Sequence, residues 1–203
     1  LLIAFQGVEF LREHIPDDVR IHYAIRSSGD QPVNVVPDYA KALFSIRSNN
    51  VITLDLGLER FKKIMEGAAL MMGTTHEITI KKKVANKIPS RRLNQVLMDN
   101  ANTINAPVIR PPRERTGSTD FGNIMQLIPG SCIRVAFVPE GTPAHSQGFL
   151  DAGKSEAAAE AMIVGAQVLA GSAADLIETN GLWEEIRQDY EQEKIAQQKE
   201  VMG

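Results

Sequence analysis

The sequence predicts a mixed α/β chain in two blocks, with domains at residues 1–84 and 85–203. Three observations carry this reading. Apolar residues recur at helical spacing in some stretches and alternate in others. Across residues 1–84 these stretches run helix, strand, strand, helix, strand. The polar, proline-containing break Asn86-Lys87-Ile88-Pro89-Ser90 then separates them from a second set with its own periodicity. With 203 residues, 43% hydrophobic and 23% charged, the chain has apolar surface for one or two small cores.

The first helix carries Leu1, Phe5, Val8 and Leu11 on one face. It stops before Pro16, because a proline disfavours the helical conformation in the residue ahead of it. After the turn at Asp17-Asp18, Val19, Ile21, Tyr23 and Ile25 alternate with Arg20, His22 and Ala24, which sends one face of a strand into a core. A loop from Ser27 to Gln31 leads to a second strand with Ala40, Ala42, Phe44 and Ile46 on one face and Arg47 on the other. Thr53 is placed to cap a helix bearing Leu54, Leu58, Phe61, Met65 and Met72, and Gly73 to stop it. Glu77 to Val84 alternates Ile78 and Ile80 with Thr79 and Lys81 as a third strand. The order is βαββαβ without its first strand, a ferredoxin-like arrangement. The missing strand is expected just upstream of Leu1, where an amphipathic pattern begins with no cap residue before it.

The second block is expected to hold a helix near Arg91 to Ala101, a proline- and arginine-rich loop from Arg110 to Arg115, and a strand around Cys132 to Val138. A long alanine-rich helix follows Asp151, and a final helix from Leu182 grows progressively polar.

Net charge is −3 and the basic residues are dispersed, so no nucleic-acid footprint stands out. The run Lys81-Lys82-Lys83 reads as a solvated strand end. The one cysteine, Cys132, has no internal disulfide partner and is expected to be a buried, inert thiol. No stretch reads as approaching the roughly 20 apolar residues that span a bilayer. These features point to a cytoplasmic protein with neither nucleic-acid nor membrane partners.

Three clusters are able to carry chemistry. His145 lies in Pro139-Glu140-Gly141-Thr142-Pro143-Ala144-His145-Ser146, directly after a strand, where loops of α/β domains present functional groups. Imidazole is a common zinc ligand, and a loop histidine is also a common surface residue. No HxD, HExxH or CxxC pairing accompanies it, so a metal at His145 needs partners from outside this chain, as does the carboxylate that activates water. Ser118 and Thr119, in Thr116-Gly117-Ser118-Thr119-Asp120-Phe121-Gly122, are able to hold a carboxylate, or simply to make a turn and cap a helix. Asn34, in Val33-Asn34-Val35-Val36-Pro37, offers a hydrogen bond to a carbonyl, and Arg47 offers a planar fork to a carboxylate. Solvated strand and loop residues are the plain alternative for both.

In this order and on these elements, the clusters resemble the superfamily of aminoacylase, carboxypeptidase G and succinyl-diaminopimelate desuccinylase, and within it the p-aminobenzoyl-glutamate hydrolase B-subunit type. The resemblance covers nearly the whole chain. It is carried by Phe10-Leu11-Arg12-Glu13-His14-Ile15, Asn34-Val35-Val36-Pro37, Glu66-Gly67-Ala68-Ala69-Leu70-Met71, Gly117-Ser118-Thr119-Asp120 and Gly141-Thr142-Pro143-Ala144-His145. The chain departs from the family pattern at Asp30, where a second glycine is usual, and at Val33, where a proline is usual.

The resemblance implies that residues 1–84 are a dimerisation, or lid, domain, forming a homodimer, and that the remainder is the C-terminal part of an α/β zinc-peptidase catalytic domain. His145 then matches a metal ligand, Asn34 and Arg47 match lid residues that reach substrate, and Ser118 and Thr119 match a substrate-contacting turn. The family uses one or two zinc ions, with manganese as a possible substitute, to hydrolyse the amide of an N-acyl or N-aroyl amino acid or small dipeptide, its substrate being a small anionic amide. Its other ligands and its general base lie upstream, so this chain alone is expected to be inactive. A non-catalytic dimerisation or binding protein derived from the family is the alternative.

Overall fold

The computed structural model describes residues 1–29, 31–107, 109–110 and 117–202. Asp30 and most of the proline- and arginine-rich loop lie outside the described residues. The chain divides into two compact units, Leu1–Asn86 with Gln197–Gly203, and Lys87–Ala196.

In the first unit, α1 (Leu2–Leu11) runs into a short 3-10 turn, Arg12–His14. Strands β1 (Arg20–Ser27) and β2 (Lys41–Arg47) pair antiparallel, with Ile21 opposite Ile46 and Tyr23 opposite Phe44. Helix α2 (Val51–Met72) follows and ends at Gly73, whose φ of 61° is the left-handed conformation that glycine accepts at a helix end. Ala4, Val8, Leu11, Val19, Ile21, Phe61 and Met65 form the core, where a fully buried Val or Ile is worth about 1.5–3 kcal/mol. The apolar face predicted for α1 is thus centred on Phe5, Val8 and Leu11, while Leu1 is 42% exposed. Met72, expected on the core side of α2, is 60% exposed in the last turn of the helix, past Met65, which is in the core.

Asn50, rather than Thr53, caps α2, its side chain accepting from Ile52 N. Thr53 is needed elsewhere. Its hydroxyl donates to Asp18 Oδ2 at 2.8 Å, and Ser48 Oγ and Asn49 N donate to the same oxygen. Burial works against the Asp18 charge, yet these bonds outweigh it and hold the carboxyl below its usual range.

The expected third strand, Glu77 to Val84, is not part of a sheet, and the unit's sheet has two strands among the described residues. Alternation supplies a face but no ladder, and no neighbouring strand presents one. The segment is held by side chains instead. Ile78 packs against the core and Lys83 forms an ion pair with Asp55 of α2, so this lysine is more than a solvated strand end.

The second unit packs α3 (Arg91–Thr103) against α6 (Glu156–Glu178), with short helices α4 (Phe121–Met125) and α5 (Gln147–Ala152) between them in sequence. Helix α7 (Leu182–Met202) closes it through Leu182 and Ile186, which pack on Val96 of α3. The strand expected from Cys132 to Val138 is likewise extended but unpaired, apart from an isolated bridge between Pro89 and Gly130 just ahead of it. Alternation survives there: Ile133, Val135 and Phe137 are half-buried, while Cys132, Arg134 and Ala136 are exposed. Cys132 is therefore an exposed thiol rather than a buried one, because it falls on the face turned away from Val135, whose Cγ2 lies against Gly165 of α6.

Helix α6 also corrects an expectation about membranes. Its 23 residues, with a mean hydropathy of 1.4 over an 18-residue window, are long and apolar enough to cross one. Its many alanines raise that average alongside Ile163, Val164, Val168 and Leu169. One such helix is weak evidence of a span, and this one carries Glu160 and Asp175 within its length.

Candidate functional site

His145 lies between the extended segment ending at Val138 and the start of α5. A turn comes first, in which Thr142 N donates to Pro139 O and the Thr142 hydroxyl donates to the same oxygen at 2.8 Å, with Gly141 at φ 86°. Glu140 of this turn pairs with Arg110 at 3.1 Å. Ser146 then caps α5, accepting from Phe149 N while donating to Pro143 O. Pinned from both sides, His145 sits at φ 65° with its side chain exposed. A non-glycine residue in this region costs on the order of 1 kcal/mol or more, and such strain concentrates at functional sites.

Thr119 also acts as a cap, its hydroxyl accepting from Phe121 N at 3.3 Å at the head of α4, while Ser118 is exposed beside it. The plain turn-and-cap chemistry foreseen for this stretch is thus present in Thr119.

Asn34 stands at the tip of a turn closed by Val35 N donating to Pro32 O at 2.9 Å. Every residue from Gln31 to Ala40 is exposed, including Val33, Val36 and Tyr39. Arg47, at the end of β2, is exposed, and its side chain has neither hydrogen bond nor ion pair among the described residues. Its direct cross-strand partner is Arg20. Sequence patterning marks Arg47 as facing outward, but only the strand register brings Arg20 beside it.

A shallow hollow between α1 and α2, lined by Phe10, His14, Arg60 and Lys63 among others, contains none of these residues.

No protein-family model matches the chain. It is 26% identical to one subunit of the p-aminobenzoyl-glutamate hydrolase of Escherichia coli, over 92% of this chain and 50% of that protein. It is 27% and 26% identical to the Xaa-Arg dipeptidases of Mus musculus and Homo sapiens, over 93% of this chain and 44% of each. The similarity to these hydrolases thus runs over more than nine-tenths of the chain. It spans about half the length of the curated relatives it matches.

The metal centre expected at His145 can be tested against the residues present. A catalytic zinc takes three protein ligands. Among the described residues no three His, Cys, Asp or Glu side chains converge, and the loop contributes one exposed imidazole.

Proposed function

We propose that the protein to which this chain belongs is a metal-dependent amidohydrolase, cleaving the amide of a small anionic N-acyl or N-aroyl amino acid or of a small dipeptide. The observation that carries this is the likeness, over more than nine-tenths of the chain, to proteins named for hydrolysing p-aminobenzoyl-glutamate and Xaa-Arg dipeptides. The strained, doubly pinned His145 supports it. In this reading His145 is one ligand of one or two zinc ions, whose service when bound is to polarise the amide carbonyl and to acidify water. The other ligands and the glutamate base belong to a part of the protein outside these residues.

Two alternating segments outside any sheet support that completion. Among the described residues no strand lies beside residues 77–82, where Ile78 packs against the core, or beside residues 131–138, where Val135 lies against Gly165 of α6. A strand added beside the first yields the ferredoxin-like lid, the unit through which we propose the protein forms a homodimer in the cytoplasm. Asn34, at an exposed turn tip, donates to the substrate carbonyl. Arg47 receives a substrate carboxylate, and Ser118 and Thr119 form a substrate-contacting turn.

The test is the hydrolytic rate of the full-length protein, purified with zinc or manganese, before and after His145→Ala. Loss of at least a hundredfold is expected. A retained rate sinks the metal-ligand role, and no hydrolysis by the unaltered protein favours a binding or assembly role for this member of the family.

A further inference from the structure

The open face of the β1–β2 hairpin is cationic in a way that its core does not explain. Ile21, Tyr23, Phe44 and Ile46 take the core side, which leaves Arg20, His22, Arg26, Lys41, Ser45 and Arg47 off it. Arg20 lies directly opposite Arg47, and His22 opposite Ser45 in the next pair. Residues so paired hold their Cβ atoms about 4.5–5.5 Å apart, and like charges in that position destabilise a sheet. Among the described residues no ion pair involves Arg20, Arg26, Lys41 or Arg47. Arg20 is anchored by one end only: its Nη1 donates to Val19 O at 3.0 Å and to Asp17 O, while its Nε and Nη2 have no partner among the described residues.

We propose that Arg20 and Arg47 form one anion site, with Arg20 as a specificity-determining residue. The site selects a substrate that bears a carboxylate beyond the one next to the scissile amide. This rests on the amidohydrolase reading, in which Arg47 takes a substrate carboxylate, and it narrows the substrate class to N-acyl amino acids with an acidic side chain. Two carboxylates on a short chain satisfy both guanidinium forks and remove the repulsion between them. A dipeptide ending in arginine brings a third guanidinium to the same place and is disfavoured.

The test uses the full-length protein and two substrates of the same size, N-benzoylglutamate and N-benzoylglutamine. The unaltered protein is expected to favour the glutamate amide in kcat/KM. Arg20→Gln is expected to cut that preference on the order of tenfold, the size of one lost charge-assisted bond, and Arg20→Lys to recover part of it. Thermal melts confirm that each variant is folded. A preference unchanged by Arg20→Gln, or an unaltered protein that favours glutamine or arginine-ended substrates, overturns the inference. Should the protein cleave neither amide, the hydrolase reading fails separately, and calorimetry with glutarate and butyrate then reads the site. Tighter glutarate binding that weakens in Arg20→Gln keeps the anion site, and its absence removes it.

Discussion

The Ser90 hydroxyl donates to Asp189 Oδ2 at 2.9 Å, so the side chain that caps α3 is itself held by α7, 99 residues later in sequence. The same carboxylate accepts from Arg92 N at 3.1 Å, while Ser90 Oγ accepts from Leu93 N. Ser90 is fully buried. Two of the free amides at the head of α3 are thus answered by two oxygens bonded to each other. Ser90→Ala is expected to lower the stability of the chain by about 1–2 kcal/mol, the upper part of the range for a lost N-cap, since it also strips Asp189 of a donor. Urea denaturation checks this, and an unchanged midpoint would mean that water serves the cap equally well.

Glu9 links α1 to the sheet. Arg12 Nε and Nη2 donate to its two oxygens at 2.7 and 2.9 Å, and the Tyr23 hydroxyl donates at 2.8 Å. The Arg12 bonds first, then the Tyr23 bond, lower the carboxyl from its ordinary 4.5 to about 2. A carboxyl lowered on folding stabilises the fold above its unfolded value, and that contribution is lost as pH falls through the folded one. Glu9→Gln is therefore expected to destabilise the chain at neutral pH, with the gap from the unaltered chain closing between pH 4.5 and about 2. A pH series of melts reads the gap directly. A constant gap across that window counts against the titration argument.

Where α3 crosses α6, a Cβ on Gly171 would lie 2.1 Å from Asn100 Oδ1. Asn100 has little freedom to move, because its Nδ2 donates to Asp175 Oδ2 at 2.6 Å and to Val96 O at 3.0 Å. Gly171→Ala is expected to cost about 1–3 kcal/mol through overpacking, despite the roughly 1 kcal/mol that alanine gains over glycine inside a helix. Adding Asn100→Ala removes the obstacle, so the double variant should be more stable than the sum of the two losses implies. Strict additivity would mean that the helices part instead.

How much of this was legible in the sequence depends on whether a feature is local. Helix faces and the Gly73 stop rest on residues a few positions apart, and the sequence shows them. The alternation of Val19, Ile21, Phe44 and Ile46 gave the two strands that have each other as partners. The same signal misled at Glu77 to Val84 and at Cys132 to Val138, because alternation reports a face and says nothing about who supplies the ladder. It also put Cys132 on the buried side, since a sequence does not say which face of such a segment meets a helix. Arg47 was visible alone. Its neighbour Arg20, 27 positions earlier, was not, because their meeting depends on a register that the turn residues do not specify.

Two alternating segments outside any sheet make the last prediction. Among the described residues no ladder pairs the backbone of residues 77–82 or 131–138, and hydrogen exchange there is expected to be fast while the amides of α2 and α6 exchange slowly. The exposed Cys132 should be alkylated by iodoacetamide without denaturant. Under the reading proposed above, each segment gains a neighbouring strand in the longer protein. Exchange should then slow by at least a hundredfold in both, and the extent to which Cys132 resists alkylation measures whether its face is covered as well. Fast exchange persisting in the longer protein would show that these segments stay open, and with them would go the argument that strands from elsewhere in the protein complete both units.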